Sequence, residues 1–216
     1  MEAFAYFNGI SHVSRRLNLN PMETSVTTSN DDELLRLTRA GDAVAFTSLY
    51  RKHQARIYRF ALLMSGSASI AEDVTQEVFL LLIRDAHRYD SGRGSLAGYL
   101  YGVARKQVLR HQARDHLHVP LLAETEEGQW VSPLLATDDP LHDCTRREVI
   151  DRVRKAVLAL PAKYREVVVL CDFQELSYAE AAQILDCAVG TICSRLHRGH
   201  ALLLERLRVM NTTPRI

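Results

Sequence analysis

Ser194, Arg195, His197 and Arg198 crowd four polar or basic side chains into five positions. A guanidinium can pair with a guanine edge or a phosphate, and hydroxyl and imidazole groups make shorter polar contacts, so this cluster suits nucleic-acid binding. The same residues could equally solvate the outer face of a helix, because basic helices are common. Nowhere does the chain show a nucleophile beside a base, or a glycine-rich phosphate cradle, so catalysis is not expected.

The elements that would position the cluster are legible upstream and downstream of it. Ser177 and Glu180 have the spacing of a capping box, in which hydroxyl and carboxylate satisfy the open backbone donors of a first helical turn. Ala181, Ala182, Ile184 and Leu185 then supply an apolar face. The pattern breaks at Asp186-Cys187-Ala188, with Gly190 expected to provide the turn. Ile192, Leu196, Leu203 and Leu207 return inward at helical spacing. Two helices joined by a tight turn, the second polar and basic, form a helix-turn-helix whose second member would enter a DNA major groove.

The run Leu176-Ser177-Tyr178-Ala179-Glu180-Ala181-Ala182, followed by Cys187-Ala188-Val189-Gly190-Thr191-Ile192-Cys193-Ser194-Arg195-Leu196-His197-Arg198, resembles the C-terminal promoter-binding domain of bacterial sigma factors. The resemblance is to the extracytoplasmic-function (ECF) group. It implies that Arg165, Thr191, Cys193, Ser194, Arg195, His197 and Arg198 contact the upstream (minus-35) promoter element, with Arg165 on a phosphate. The family commonly has Lys or Arg where this chain has Cys193, so one strong contact is expected to be missing.

Two further stretches resemble the same family. Ala71-Glu72-Asp73-Val74-Thr75-Gln76-Glu77-Val78-Phe79 is similar to the polymerase-binding helix of sigma region 2, which implies that Glu72, Asp73, Gln76, Glu77 and Phe79 meet the clamp helices of the largest polymerase subunit. By composition alone that face is an ordinary solvated acidic one. Tyr89-Asp90-Ser91-Gly92-Arg93-Gly94-Ser95, with Tyr99-Leu100-Tyr101-Gly102-Val103-Ala104-Arg105, resembles the part that melts the downstream (minus-10) element. Melting requires aromatic faces for extruded bases and cations along the freed strand. The resemblance assigns Asp90, Arg93, Ser95, Tyr99, Tyr101, Arg105, Lys106 and Arg110 to that task, although one of the two tyrosines is expected in the core. Tyr99 stands where the family usually has Trp. Lys106 stands where it often has Asn, which alters base preference because an ammonium reads bases differently from an amide.

The chain has 216 residues, 47% hydrophobic, and a formal net charge of +1. That supports packed cores and means that any DNA-binding charge must be local. Four cysteines without a CxxC pair or a secretory signal favour reduced thiols and a cytoplasmic location. No apolar run reaches membrane-spanning length.

Residues 1–30 read as a flexible N-terminal arm, with Met22 an alternative start. Residues 31–116 read as sigma region 2: a first helix capped by Asn30 or Asp31 and carrying Leu34, Leu35 and Leu37, and a second containing Phe46, Leu49, Ile57 and Phe60. A third contains Ala71, Val74, Val78, Leu81, Leu82 and Ile83, and a fourth runs from about Leu96 to His116. Residues 117–144 read as an acidic linker without Lys or Arg, from Leu117 to Asp143, in which Trp130 could anchor. The resemblance implies that it threads the polymerase cleft. Residues 145–210 read as sigma region 4, with Val149, Ile150, Val153, Val157 and Leu158 facing inward and a helix from Lys163 to Phe173.

The expectation is thus an all-α chain of two helical domains. Core RNA polymerase and promoter DNA are its partners, and the resemblance adds an anti-sigma protein. No cofactor is expected. The alternatives are a free-standing helix-turn-helix regulator and a polymerase-binding module without promoter contacts. Cys187, Cys193, His197 and His200 lie close enough in sequence to raise a zinc site, but the resemblance accounts for two of them without metal.

Overall fold

The computed structural model describes residues 27–117 and 140–212, and these contain eight α-helices and no β-strand. In chain order they are α1 (Thr27–Arg39), α2 (Ala43–Ser65), α3 (Ala68–Arg84), α4 (Leu96–Leu117), α5 (Pro140–Leu158), α6 (Ala162–Val168), α7 (Tyr178–Leu185) and α8 (Val189–Thr212). Short 3-10 turns at Ala86–Arg88 and Ser91–Arg93 join α3 to α4, and a π-helical turn at Val169–Phe173 prolongs α6. The expected N-terminal arm with Met22 lies outside the described residues, except that α1 begins at Thr27. The linker with Trp130 lies outside them as well, except where α4 ends at Leu117 and α5 begins at Pro140.

Local chemistry sets the breaks in the first half. Asp42 accepts from the Val44 and Ala45 amides at 2.8 and 3.1 Å, capping α2. Gly66 ends that helix at φ 80°, where a side chain would be strained, and Ser67 caps α3 at once. The C-terminal end of α2 is buried all round: Phe60, Ala61, Leu62 and Met64 are at most 2% exposed. Against it pack Ala71, Val74 and Val78 of α3 and Leu96, Leu100, Ala104 and Val108 of α4.

Three expectations are corrected here. Asp31 is not a cap; it lies inside α1, 5% exposed, with Lys52 Nζ 2.7 Å from Oδ1 and His53 Nε2 3.1 Å from Oδ2. Ile83 points outward and is 53% exposed, because α3 turns its inner face through Val74, Val78 and Leu82. Val149 also lies outward in α5, whose buried residues near its end are Ala156 and Val157, with Leu160 following.

The second half is built on Val167, Val168, Val169 and Leu170, all fully buried, with Ala181 of α7 and Ile192 of α8 closing over them. The buried residues of both halves form one continuous cluster. Leu158 of α5 lies over Gly66, where a Cβ would be 3.4 Å from Leu158 Cδ2.

Candidate nucleic-acid interface

The capping box is formed: Ser177 Oγ accepts from the Glu180 amide, while Glu180 Oε2 accepts from the Ser177 amide at 3.0 Å. The turn itself departs from expectation. Asp186, not Gly190, adopts the left-handed conformation, at φ 50°. Gly190 already lies in the first turn of α8, with open space where a Cβ would be. Aspartate tolerates this conformation better than most residues, and its amide donates back to the Gln183 carbonyl.

α8 is buried on one side through Ile192, Leu196 and Leu203. Cys193, Ser194, His197 and Arg198 are exposed, and Thr191 and Arg195 half-buried. Gly199 is required by packing rather than by conformation: a Cβ there would lie 2.9 Å from Val168 Cγ2. The close approach holds α8 against α6 and fixes which side chains face outward.

Sequence reading overlooked two neighbours of this surface. Lys163 Nζ sits 5.0 Å from the centre of the Tyr164 ring. The Arg198 guanidinium hydrogen bonds to the Tyr164 hydroxyl and, with Lys163 beside it, holds that hydroxyl below its ordinary value. The signal was their adjacency to Arg165, but Arg165 itself points elsewhere. Its Nη1 donates to the Met64 carbonyl at 2.8 Å and its Nη2 to the Leu160 carbonyl at 3.1 Å. Half-buried and engaged with backbone oxygens, Arg165 does not present itself to a phosphate in this arrangement.

On the first half, α4 separates the expected downstream set. Arg93, Lys106 and Arg110 are exposed, and Asp90 is exposed with Oδ1 accepting from the Gly92 amide at 2.9 Å. Tyr99 is half-buried, its ring 5.6 Å from that of Tyr89. Tyr101 is the core tyrosine: it is 2% exposed, and burial pushes its hydroxyl up to about 12. Ser95, Tyr101 and Arg105 are each bonded to the second half: Ser95 Oγ to Glu180 Oε1 at 2.9 Å, Tyr101 OH to Gln174 Oε1 at 2.8 Å, and Arg105 Nε to Glu166 Oε1 at 2.7 Å.

Along α3, Glu72, Asp73 and Gln76 face solvent, and Glu77 is half-buried with Oε1 3.6 Å from His111 Nε2. Phe79 is corrected. It is 3% exposed and stacks edge-on against Phe46 and Tyr50, so it shapes the helix from within. The exposed apolar residues on this helix are Leu80 and Ile83, which sequence periodicity had not set apart.

Among the described residues no three His, Cys, Asp or Glu side chains gather as a metal site. His200 Nε2 lies 2.7 Å from Asp172 Oδ2. No helix among them is long and apolar enough to cross a membrane.

These two helical units match two family models: Sigma-70 region 2 over residues 49–116 and Sigma-70, region 4 over residues 150–203. The chain is 30% identical over 178 residues to the ECF RNA polymerase sigma factor SigW of Bacillus subtilis, covering 81% of this chain and 95% of that protein. The chain belongs to the ECF sigma factors. Another relative, the ECF RNA polymerase sigma factor SigM of Mycobacterium tuberculosis, is 31% identical over 85% of this sigma factor and 87% of its own length. The fold is shared with two solved structures. One is the sigma factor RpoE in complex with the anti-sigma factor NepR from Bartonella quintana, with TM-score 0.59, 23% identity and coverage of 76% of this chain and 97% of that one. The other is CnrH in complex with the cytosolic domain of CnrY, with TM-score 0.61, 20% identity and coverage of 83% and 98%.

Proposed function

We propose that this sigma factor docks on core RNA polymerase through the outer face of α3, reads the upstream promoter element with α8, and melts the downstream element with α4 and the loop before it. As a sigma factor it binds core polymerase and directs transcription to specific promoters. The observation that carries the residue assignment is that one chain presents both surfaces. Ser194, His197 and Arg198 face outward on α8, and the acidic Glu72 and Asp73 face outward on α3, where Leu80 and Ile83 add exposed apolar area.

Charged and apolar groups side by side suit a protein interface, the apolar patch supplying burial and the carboxylates selecting a basic partner. Each DNA contact set can be weak by itself. Held on one enzyme, the two act at high effective concentration. Phosphodiester synthesis belongs to the polymerase, and the sigma factor supplies no catalytic residue. It works in the cytoplasm with that enzyme. An anti-sigma protein is a further partner, in keeping with the complex of RpoE with the anti-sigma factor NepR.

The test is transcription in vitro with sigma-free core polymerase on a library of promoter fragments. Protein-dependent transcripts should start at fixed sites. Arg195→Ala with Arg198→Ala should reduce upstream-element binding by about 1–3 kcal/mol for each base or phosphate contact removed. Absence of transcripts, with a specific duplex shifted by the protein alone, would make it a free-standing regulator instead.

A further inference from the structure

We infer that Lys163 and Tyr164, at the start of α6, build with Arg198 a DNA phosphate-binding corner on one flank of α8, Lys163 touching the phosphate and Tyr164 holding Arg198 toward it. This deepens the proposed function and rests on its assignment of α8 to upstream promoter DNA.

Packing sets the corner up. A Cβ on Gly199 would lie 3.6 Å from Tyr164 Cβ, so the missing side chain lets the first turn of α6 stand against α8, one residue beyond Arg198. There the Arg198 guanidinium engages the Tyr164 hydroxyl. Lys163 Nζ lies 5.0 Å from the centre of the same ring, within reach of a cation–π contact. Lys163 and Arg198 are exposed, and Tyr164 is half-buried. Among the described residues no carboxylate forms an ion pair with either cation, so both charges face water rather than a protein anion. The hydroxyl between them responds to that positive field. Arg198 first, and Lys163 after it, hold it below its ordinary value against the opposing effect of desolvation.

Position decides what the corner is for. Ser194 and Arg198 are four apart in α8 and share one face, so an anion held at Arg198 borders the surface assigned to DNA. Cys193 and Arg198 are five apart, about 140° from one another around the helix. The corner therefore meets a different stretch of backbone from position 193 and adds a contact of its own. Arg165 carries the charge that a phosphate contact from α6 needs, but its guanidinium is directed to the Met64 and Leu160 carbonyls. Lys163, exposed two residues earlier, takes that place. An ammonium meets a phosphate as a point charge and carries no sequence information, so the contact adds affinity on any duplex.

Fluorescence anisotropy of the full chain on a labelled duplex of mixed sequence, titrated between about 50 and 200 mM salt, tests the corner. Lys163→Ala should reduce the slope of log affinity against log salt by about 0.9, so that the wild-type advantage shrinks about threefold across that range. Lys163→Arg should keep the wild-type slope. Tyr164→Phe retains the ring and removes the hydroxyl. In that background Arg198→Ala should weaken binding less than it does in the wild type, a coupling that a merely structural tyrosine would not produce. Equal losses in the two backgrounds remove Tyr164 from the corner. Arg195→Ala separates the corner from the assignment it rests on. If Arg195→Ala or Arg198→Ala weakens binding while Lys163→Ala does not, the corner is overturned and the assignment of α8 stands. If all three leave binding unchanged, or the wild type binds no duplex, both are overturned.

Discussion

Cys193 occupies a solvent-facing position in the middle of the α8 surface, between residues that present hydroxyl, imidazole and guanidinium groups. A thiol there contributes no charge to the encounter with DNA. Cys193→Arg should therefore raise affinity for the upstream element. It should also steepen the fall of log affinity with log salt by about 0.9, the contribution of one additional neutralised phosphate. An unchanged slope in a salt titration would show that position 193 does not face the backbone. Two glycines of the same helix make a matched pair for stability. Gly199→Ala gains helix propensity of up to about 1 kcal/mol, but its Cβ would press on Val168 Cγ2 at 2.9 Å. Val168 is fully buried and β-branched, so it cannot swing aside, and overpacking of about 1–3 kcal/mol decides the sign. Gly190→Ala meets nothing and should be neutral or stabilising by about 0.5 kcal/mol. Thermal melts of the two variants should move in opposite directions or differ by several degrees.

The elements show where a sequence pattern suffices and where it does not. Helical periodicity placed apolar residues of α2, α3 and α4, and the breaks between α2 and its neighbours are local, because Asp42, Gly66 and Ser67 act on backbone groups within four residues of themselves. The capping box of α7 was legible for the same reason. Asp31 was misread as a cap because its partners, Lys52 and His53, lie on the next helix and leave no local signature. That misreading has a measurable counterpart. Burial pushes the Asp31 carboxyl up, but hydrogen bonds from His53 and Lys52 and their charges outweigh it, so the net shift is downward from 3.8. A carboxylate depressed in the folded state contributes stability that is complete above its unfolded value and is lost as pH falls through the lower native one. The docking of α1 on α2 should accordingly hold at neutral pH and weaken below about pH 3.8. Asp31→Asn should be less stable than wild type at pH 7, with a shallower acid limb between pH 4 and pH 2 in denaturant titrations. A parallel pair of limbs would remove Asp31 from the account.

At the scale of the whole molecule, the surface chemistry of α3 and α8 could be read from motif order, whereas the relation between the halves could not. Arg165 illustrates the difference. Its type and position suit a phosphate contact, yet its guanidinium joins the Met64 carbonyl of α2 to the Leu160 carbonyl beyond α5. Only the three-dimensional arrangement shows that Arg165 and Met64, 101 positions apart in the chain, come together. With Leu158 seated over Gly66 and one continuous apolar cluster running through both halves, neither half can unfold without exposing part of the other. The full chain should therefore melt in a single calorimetric transition, with van't Hoff and calorimetric enthalpies equal. Arg165→Ala would leave the Met64 and Leu160 carbonyls without this donor, at a cost of about 1–3 kcal/mol. Combined with Leu158→Ala, it should cut the coupling and resolve the trace into two transitions. Each half retains its own buried residues, so both transitions should remain cooperative. Two transitions already present in the wild type would mean that the halves are associated too weakly in solution to unfold together.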